Sequence, residues 1–177
     1  MRRLARVSLI LAAALALPAT ALAGDVIDQS QESVSCGVGS GSADALIAQT
    51  FTAGSTGTIT AVALHRSGGN AWNKAAVTIE IRDAVDGHPG TTVLATTVVK
   101  SGSMRWIKTS FRTGAAVTAG TQYAIVVHSD GTTSYDCAQH NPYTGGDAQY
   151  QVDSPWQTFY DEGTTVPWDL AFRTYLG

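Results

Sequence analysis

The sequence predicts an all-β fold: a two-sheet antiparallel β-sandwich of about nine or ten strands, wound as a jelly roll. In residues 117–130, VTAGTQYAIVVHSD, the residues Tyr123, Ile125 and Val127 alternate with Gln122, Ala124, Val126 and His128 after an Ala-Gly turn signal. This period of two recurs in short segments separated by turn residues, which is typical of sandwiches. No segment of helical length after residue 23 has the apolar spacing of a helix, although residues 43–48 could form one helical turn.

The N-terminal part of the folded chain is expected to be a strand and a loop, followed by the regular sandwich. Residues 26–35 alternate weakly and predict a polar first strand, and the Gly/Ser-rich residues 36–44 predict a loop. The next two apolar segments, 46–53 and 58–66, predict strands, since β-branched and aromatic residues favour extended backbone. The long connections between strands favour a jelly roll over a simple up-and-down barrel.

The clearest alternation in the chain comes next. Val77, Ile79 and Ile81 are expected to face the core, while Glu80 and Arg82 point outwards as a solvated pair. The sequence DGHPG that follows is a turn cluster, because proline fixes one φ angle and glycine allows positive φ.

The second half of the chain repeats this pattern. Trp106 and Phe111 have opposite parity within one predicted strand, so either a bulge lies between them or both faces of that strand are covered. The aromatic residues and the turn signals together predict strands at residues 92–99, 106–112, 122–128, 132–139, 149–152, 156–160 and 169–176.

The first 23 residues have the pattern of a secretory signal peptide. Arg2, Arg3 and Arg6 precede an apolar run at residues 9–17, and Ala21-Leu22-Ala23 fits cleavage after Ala23. The apolar run is too short to span a bilayer comfortably, which disfavours a membrane anchor. The sequence therefore predicts a secreted, extracellular protein.

Charge and length limit the class of the mature protein. Removing 23 of the 177 residues leaves 154, which suits one folded unit, with a strand and loop at 24–45 and the sandwich at 46–177. The leader holds three of the 11 basic residues and none of the 14 acidic ones, so the mature formal charge is −6. This charge disfavours nucleic acid and anionic membrane surfaces as partners. No membrane span is expected in the mature chain, and its oligomeric state is left open.

Cys36 and Cys137 are the two cysteines of the chain. In an oxidising compartment a single pair is most simply a disulfide. It would close a loop of about 100 residues and contribute about 4–5 kcal/mol in the chain-entropy model. Two free thiols or a metal pair are the alternatives, but neither cysteine has metal-ligand spacing.

The sequence contains no recognisable catalytic constellation, so we expect a protein without enzymatic activity. The four histidines form no metal-binding pair, and there is no GxSxG motif. Asp161 and Glu162 are adjacent, and adjacent carboxylates rarely face one glycosidase site. No cofactor is expected. A structural calcium ion is an open alternative to simple turn capping for four loop carboxylates, Asp25, Asp44, Asp153 and Asp169.

Aromatic residues in or beside loops are the candidate ligand-binding residues. Flat rings stack on sugars, and nearby Asn, Gln and Asp side chains can bind hydroxyl groups. The alternative is that these rings cap the ends of the sandwich core. The candidate residues are Trp72, Tyr143, Trp156, Tyr160 and Trp168.

Several segments together resemble a known family. AQTFTAGSTGTITAVAL, VTIEIRD with DGHPGT, the Trp106–Phe111 segment, VTAGTQYAIVV, NPYTGG and DLAFRTY occur in this order across residues 46–177. In this set the chain resembles the bacterial extracellular "choice-of-anchor" β-sandwich domains. The resemblance implies an architecture like that of carbohydrate-binding modules, on a secreted or surface-attached protein. The family has no assigned activity or agreed functional residues. This chain ends at Gly177 without a sorting motif or hydrophobic tail, which favours release over anchoring.

Three functions follow from these observations, in decreasing order of expectation. The first is a secreted, non-catalytic module that binds a glycan or another extracellular polymer through loop aromatics. The second is a structural or protein-interaction domain of the cell envelope or matrix, with no small ligand. The third is a secreted hydrolase, which needs a cleft of paired carboxylates that the sequence does not announce.

Overall fold

The computed structural model describes residues 25–39, 44–67, 76–100, 105–131, 133–153 and 155–177. The expected leader, residues 1–23, and Trp72 lie outside these described residues. Within them the backbone forms strands and no helix, so the predicted all-β class is confirmed. The 13 strands are β1 (Val26–Gln31), β2 (Cys36–Gly39), β3 (Leu46–Thr52), β4 (Gly57–His65), β5 (Ala76–Val85), β6 (His88–Lys100), β7 (Trp106–Val117), β8 (Gln122–Ser129), β9 (Ser134–Ala138), β10 (Ala148–Gln151), β11 (Gln157–Thr158), β12 (Asp169–Leu170) and β13 (Phe172–Leu176).

The strands form antiparallel sheets. A six-stranded sheet has the order β11-β10-β3-β8-β5-β6, and a four-stranded sheet has the order β1-β13-β4-β7. A small sheet of order β12-β9-β2 continues from the four-stranded sheet, because Arg66 follows β4 and bridges Tyr135 on β9. The arrangement is a β-sandwich, as predicted, while the jelly-roll winding stays a prediction.

The core lies between the two large sheets. Phe51, Ile79 and Ile125 point inwards from the six-stranded sheet, and Leu64 and Phe172 point inwards from the four-stranded sheet. The rings of Phe51 and Phe172 meet across the gap, with centroids 6.5 Å apart. Each of these side chains contributes roughly 1.5–3 kcal/mol by leaving water, so this layer stabilises the sandwich.

Cys36 and Cys137 form a disulfide, as predicted. The two residues lie directly opposite each other on β2 and β9, with their Cα atoms 4.9 Å apart. The bridge joins positions 101 residues apart in the sequence and holds the small sheet together.

Trp106 and Phe111 lie on opposite faces of β7. Trp106 packs on the outside of the four-stranded sheet against Ala61 and Ala63, and the Arg173 guanidinium lies 4.3 Å from its ring centroid. Phe111 instead belongs to the core between the sheets. The register of β4 and β7 is regular from Trp106 to Ser110, so no bulge lies between Trp106 and Phe111. The two residues have opposite parity because both faces of β7 are covered.

Two predicted segments differ from the structure. The first predicted strand, residues 26–35, ends as β1 at Gln31, and β2 (Cys36–Gly39) lies in the residues predicted as a loop, so the loop prediction is wrong there. The last one divides at Ala171, whose N–H donates to the Asp136 carbonyl while its own carbonyl accepts from the His65 N–H. Ala171 therefore passes the chain from the small sheet to the four-stranded sheet. No helix in the described ranges has the length and apolarity of a membrane span.

Candidate functional site

Tyr143 connects the N-terminal strand to the body of the sandwich. Its hydroxyl donates to Gln29 Oε1 at 3.0 Å and accepts from the Thr52 N–H at 3.3 Å. Its ring contacts Phe172 edge-on, with centroids 5.1 Å apart. Burial raises the pKa of Tyr143 to about 12. These contacts give Tyr143 a structural role at this position.

Trp168 belongs to a stack of rings beside β10. It lies parallel to Phe159 with centroids 5.8 Å apart, and Phe159 also contacts Tyr150 at 4.7 Å. The indole N–H of Trp168 donates to Asp161 Oδ1 at 2.8 Å. The ring of Trp168 therefore has one face on Phe159 and its polar atom on a buried carboxylate.

His140 shares that carboxylate. Its Nδ1 lies 2.7 Å from Asp161 Oδ2, and its side chain is 82% exposed. An imidazole oriented by a carboxylate can accept a proton from a bound molecule. In the part of the chain that the structure describes, no hydroxyl or thiol is hydrogen-bonded to His140. The 21 residues between the two partners explain why a search for short spacings did not find the pair.

Tyr160 lies outside both of these groups. It forms an isolated bridge with Pro167 and is 48% exposed. It is the most exposed aromatic ring of the predicted set in the described residues, and it lies next to the Phe159 stack in the sequence.

Trp156 lies on the side of the six-stranded sheet that faces away from the core, which we call the outer face. Its indole packs on Ala48, Ala124 and Val126, all 0% exposed, together with Leu46. Small side chains on adjacent strands allow a flat ring to lie close to the backbone. Trp156 itself keeps part of its surface in solvent, which leaves the ring available for stacking.

The register of the strands places polar side chains in line with this ring. One row across the outer face runs from Gln149 through Ala48 and Val126 to Glu80 and Thr96. Neighbouring strands are about 4.8 Å apart, so this row is about 19 Å long. The apolar residues under Trp156 therefore have the Gln149 amide on one side and an ion pair that includes Glu80 on the other.

That ion pair is Glu80 with Arg82. Arg82 Nε and Nη2 donate to Glu80 Oε2 at 2.7 and 2.6 Å. The two residues share a face, as predicted, but the side chains are only 14% and 18% exposed, so the expectation of a solvated pair is wrong. Both side chains of the pair are therefore largely shielded from water.

The β5–β6 hairpin reaches across the outer face to Gln149. β5 follows β8 as far as Asp83, and register shifts with β6 then occur on either side of Arg82. Gln149 Nε2 donates to the Gly87 carbonyl at 2.7 Å, and its Oε1 lies 2.9 Å from His88 Nδ1. Because β10 lies three strands away from β5, the hairpin tip must bend across the outer face to make these bonds. Bulges bend strands in this way.

The four carboxylates considered as calcium ligands lie in different environments. Asp25 is bound to Lys108 Nζ at 2.9 Å, which lowers the pKa of Asp25. Asp169 is fully buried and accepts from Gln49 Nε2 and the Tyr143 N–H, both at 3.0 Å. Asp44 and Asp153 are exposed. The described residues contain no group of three or more His, Cys, Asp or Glu side chains placed to hold a metal ion, and calcium stays an open alternative to turn capping for these four residues.

Comparison with known proteins adds no relative. A scan against models of known protein families finds no match to this chain, and a search of curated proteins finds none either.

The outer face combines one predicted residue with several that sequence reasoning did not select. Trp156 was expected to bind a ligand, whereas Glu80, Arg82 and Gln149 were assigned only to strands. Their alternation with core residues predicts an outward direction, which the structure has. The sequence gives no signal for the bend of the hairpin, which brings Gly87 and His88 into contact with Gln149.

Proposed function

We propose that this chain is a secreted, non-catalytic β-sandwich module that binds a glycan, or another extracellular polymer, through an aromatic side chain. The observation that carries the proposal is Trp156 on its floor of buried alanine and valine, next to the Glu80–Arg82 pair. A half-buried indole beside hydrogen-bonding groups suits a sugar, which has an apolar ring face and polar hydroxyl groups. Secretion is supported by the leader pattern and by the disulfide.

The test is retention of the mature protein on polysaccharides. Insoluble polymers are used in a pull-down and soluble ones in affinity electrophoresis. We expect Trp156→Ala to weaken retention about tenfold or more, because stacking and apolar contact with the ring are lost. We expect Trp156→Phe to keep part of the retention.

Tyr160→Ala is the matched control for Trp156→Ala. It removes an exposed ring from the same segment of the chain but leaves the outer face intact. Melting temperatures of both variants establish that they are folded. Equal retention of the wild type and Trp156→Ala on every polymer would contradict the proposal, and loss in Tyr160→Ala alone would move the site to the exposed loop.

A second candidate function is protein interaction within the envelope or matrix. β6 is a 13-residue strand at the edge of the six-stranded sheet, and it exposes Val93 (44%) and Val98 (63%). An exposed apolar edge strand is a surface on which another strand can pair. We expect Val98→Lys to abolish cross-linking to a purified envelope partner, whereas Val85→Lys on the hairpin leaves it unchanged. Equal cross-linking in both variants would exclude the β6 edge.

A further inference from the structure

The charged side chains of the outer face compensate each other. Glu80 and Arg82 are two residues apart on β5, and their contacts of 2.6 and 2.7 Å join them to one carboxylate oxygen, Oε2. The remaining outward-facing charge on the registered strands in the described ranges is Lys100, which ends the edge strand β6. The Glu80–Arg82 pair therefore contributes no net charge of its own to the outer face beside Trp156.

The pair lies within reach of a sugar stacked on Trp156. The floor of the ring includes Val126 on β8, and Val126 is the direct register partner of Glu80 on β5. Arg82 is likewise the partner of Ala124, a second residue of that floor. Since neighbouring strands are about 4.8 Å apart, both charged residues border the ring along one side.

We infer that the ligand of this site is an uncharged polysaccharide, and that the Glu80–Arg82 pair determines this specificity by binding its hydroxyl groups. The inference rests on the proposed function and adds the class of glycan to it. A carboxylate accepts hydrogen bonds from hydroxyl groups, and a guanidinium donates to them. The atoms Glu80 Oε1 and Arg82 Nη1, which take no part in the contacts between the two side chains, provide one acceptor and one donor for adjacent hydroxyls.

An acidic polysaccharide does not suit the same arrangement. A uronate, sulfate or phosphate group next to Trp156 would meet the Glu80 carboxylate, and like charges repel. If Arg82 Nη1 bound the anion, one guanidinium would face two negative charges, in a place where both side chains are less than one-fifth exposed. An uncompensated carboxylate at such a position is unfavourable.

The experiment uses pairs of polymers that share one backbone and differ in charge. Hydroxyethyl cellulose is compared with carboxymethyl cellulose, dextran with dextran sulfate, and methyl-esterified pectin with polygalacturonate. For at least one pair, we expect the neutral polymer to be retained about tenfold more strongly than its charged partner. This retention should change little between low and high salt, since no ion pair with the ligand is formed.

Two outcomes overturn the inference and differ in what they leave standing. Stronger retention of the charged polymers, with loss at high salt and with dependence on Trp156, overturns the neutral class but leaves the proposed function intact. Retention of no polymer at all overturns the proposed function and this inference with it.

Variants of the pair test its role in specificity. Glu80→Gln leaves Arg82 without its carboxylate, so we expect the preference for neutral polymers to decrease about tenfold or to reverse. Glu162→Gln is the matched control, because it removes the same charge from an exposed turn. An equal preference in Glu80→Gln and wild type overturns the assignment of specificity to the pair.

The double variant Glu80→Gln/Arg82→Gln keeps the test valid if a single unpaired charge prevents folding. It removes both charges together and leaves Trp156 in place. We expect it to fold and to bind neutral polymers about tenfold more weakly, since the charged hydrogen bonds to hydroxyl groups are lost. Wild-type retention in this variant shows that the pair does not bind the ligand and overturns the inference.

Discussion

Asp169 is a fully buried carboxylate. Its hydrogen-bond partners, the Gln49 amide and the Tyr143 N–H, are both uncharged. Burial raises the pKa of Asp169 to about 6, although the hydrogen bonds from the Tyr143 N–H and Gln49 lower it in part. Between about pH 4 and pH 6, Asp169 is therefore protonated in the folded state and ionised in the unfolded state. Stability from this group is present below pH 4 and is lost as the pH rises through 6.

Replacing Asp169 by Asn removes this pH dependence. We expect the free energy of unfolding of the wild type, measured relative to Asp169→Asn, to fall by about 2–3 kcal/mol between pH 4 and pH 7. Denaturant unfolding of both proteins across this range measures the difference. A difference that is constant with pH would show that Asp169 has the same pKa in the folded and unfolded states.

Single residues also show what sequence reasoning can reach. Alternation along β5 places Glu80 and Arg82 on one face, and the structure agrees. Their low exposure could not be predicted, since alternation gives no sign that the hairpin after β5 bends across this face. Sequence patterns predict the direction of a side chain, whereas its exposure depends on tertiary contacts.

The β5–β6 hairpin is the element that shapes the outer face. Asp86 and Gly87 form its two-residue turn with φ angles of 51° and 82°, as Asp-Gly turns in hairpins require. The turn was predicted from the DGHPG sequence, but the predicted turn was longer than the observed one. The bend across the sheet was not predicted, because bulges leave little trace in a sequence without Gly at the bulge.

Gln149 fixes the bent hairpin to the outer face. In Gln149→Ala both of its bonds to the tip are lost, so we expect faster hydrogen exchange at the amides of residues 87 and 88. The increase should be about tenfold, the equivalent of one or two hydrogen bonds of ordinary strength. Gln151→Ala is the matched control on the same strand and face. Unchanged exchange in Gln149→Ala would mean that other contacts hold the tip.

On the scale of the whole molecule, the disulfide joins β2 to β9, at positions 101 residues apart in the sequence. Cys137 is fully buried and Cys36 is its direct partner on the adjacent strand. We expect Cys36→Ala/Cys137→Ala to lower the free energy of unfolding by about 4–5 kcal/mol, because the unfolded chain regains the entropy of a 101-residue loop. Denaturant unfolding measures this loss, and wild-type protein with a thiol reductant should show a similar one. A loss below about 1 kcal/mol would contradict the entropic account.

The fold class was predictable from the sequence because alternation, turn residues and the cysteine pair all indicate the same structure. The arrangement of sheets was not, since segments such as residues 169–176 change sheet at Ala171 without any break in their apolar pattern. The site was predicted only at Trp156. The remaining predicted rings were chosen for lying near loops, and Tyr143 and Trp168 bind other parts of the protein through their polar atoms.

The first and last described strands are neighbours, with Val26 opposite Leu176 at the edge of the four-stranded sheet. Anything fused to either end of the sandwich therefore emerges from the same corner. Trp156 lies on the opposite side of the molecule, on the other sheet. A tether at this corner would present the indole of Trp156 to the surroundings, whichever terminus carried the tether. A short linker between the two termini would also permit circular permutation, with new termini in an exposed loop and the strands unchanged.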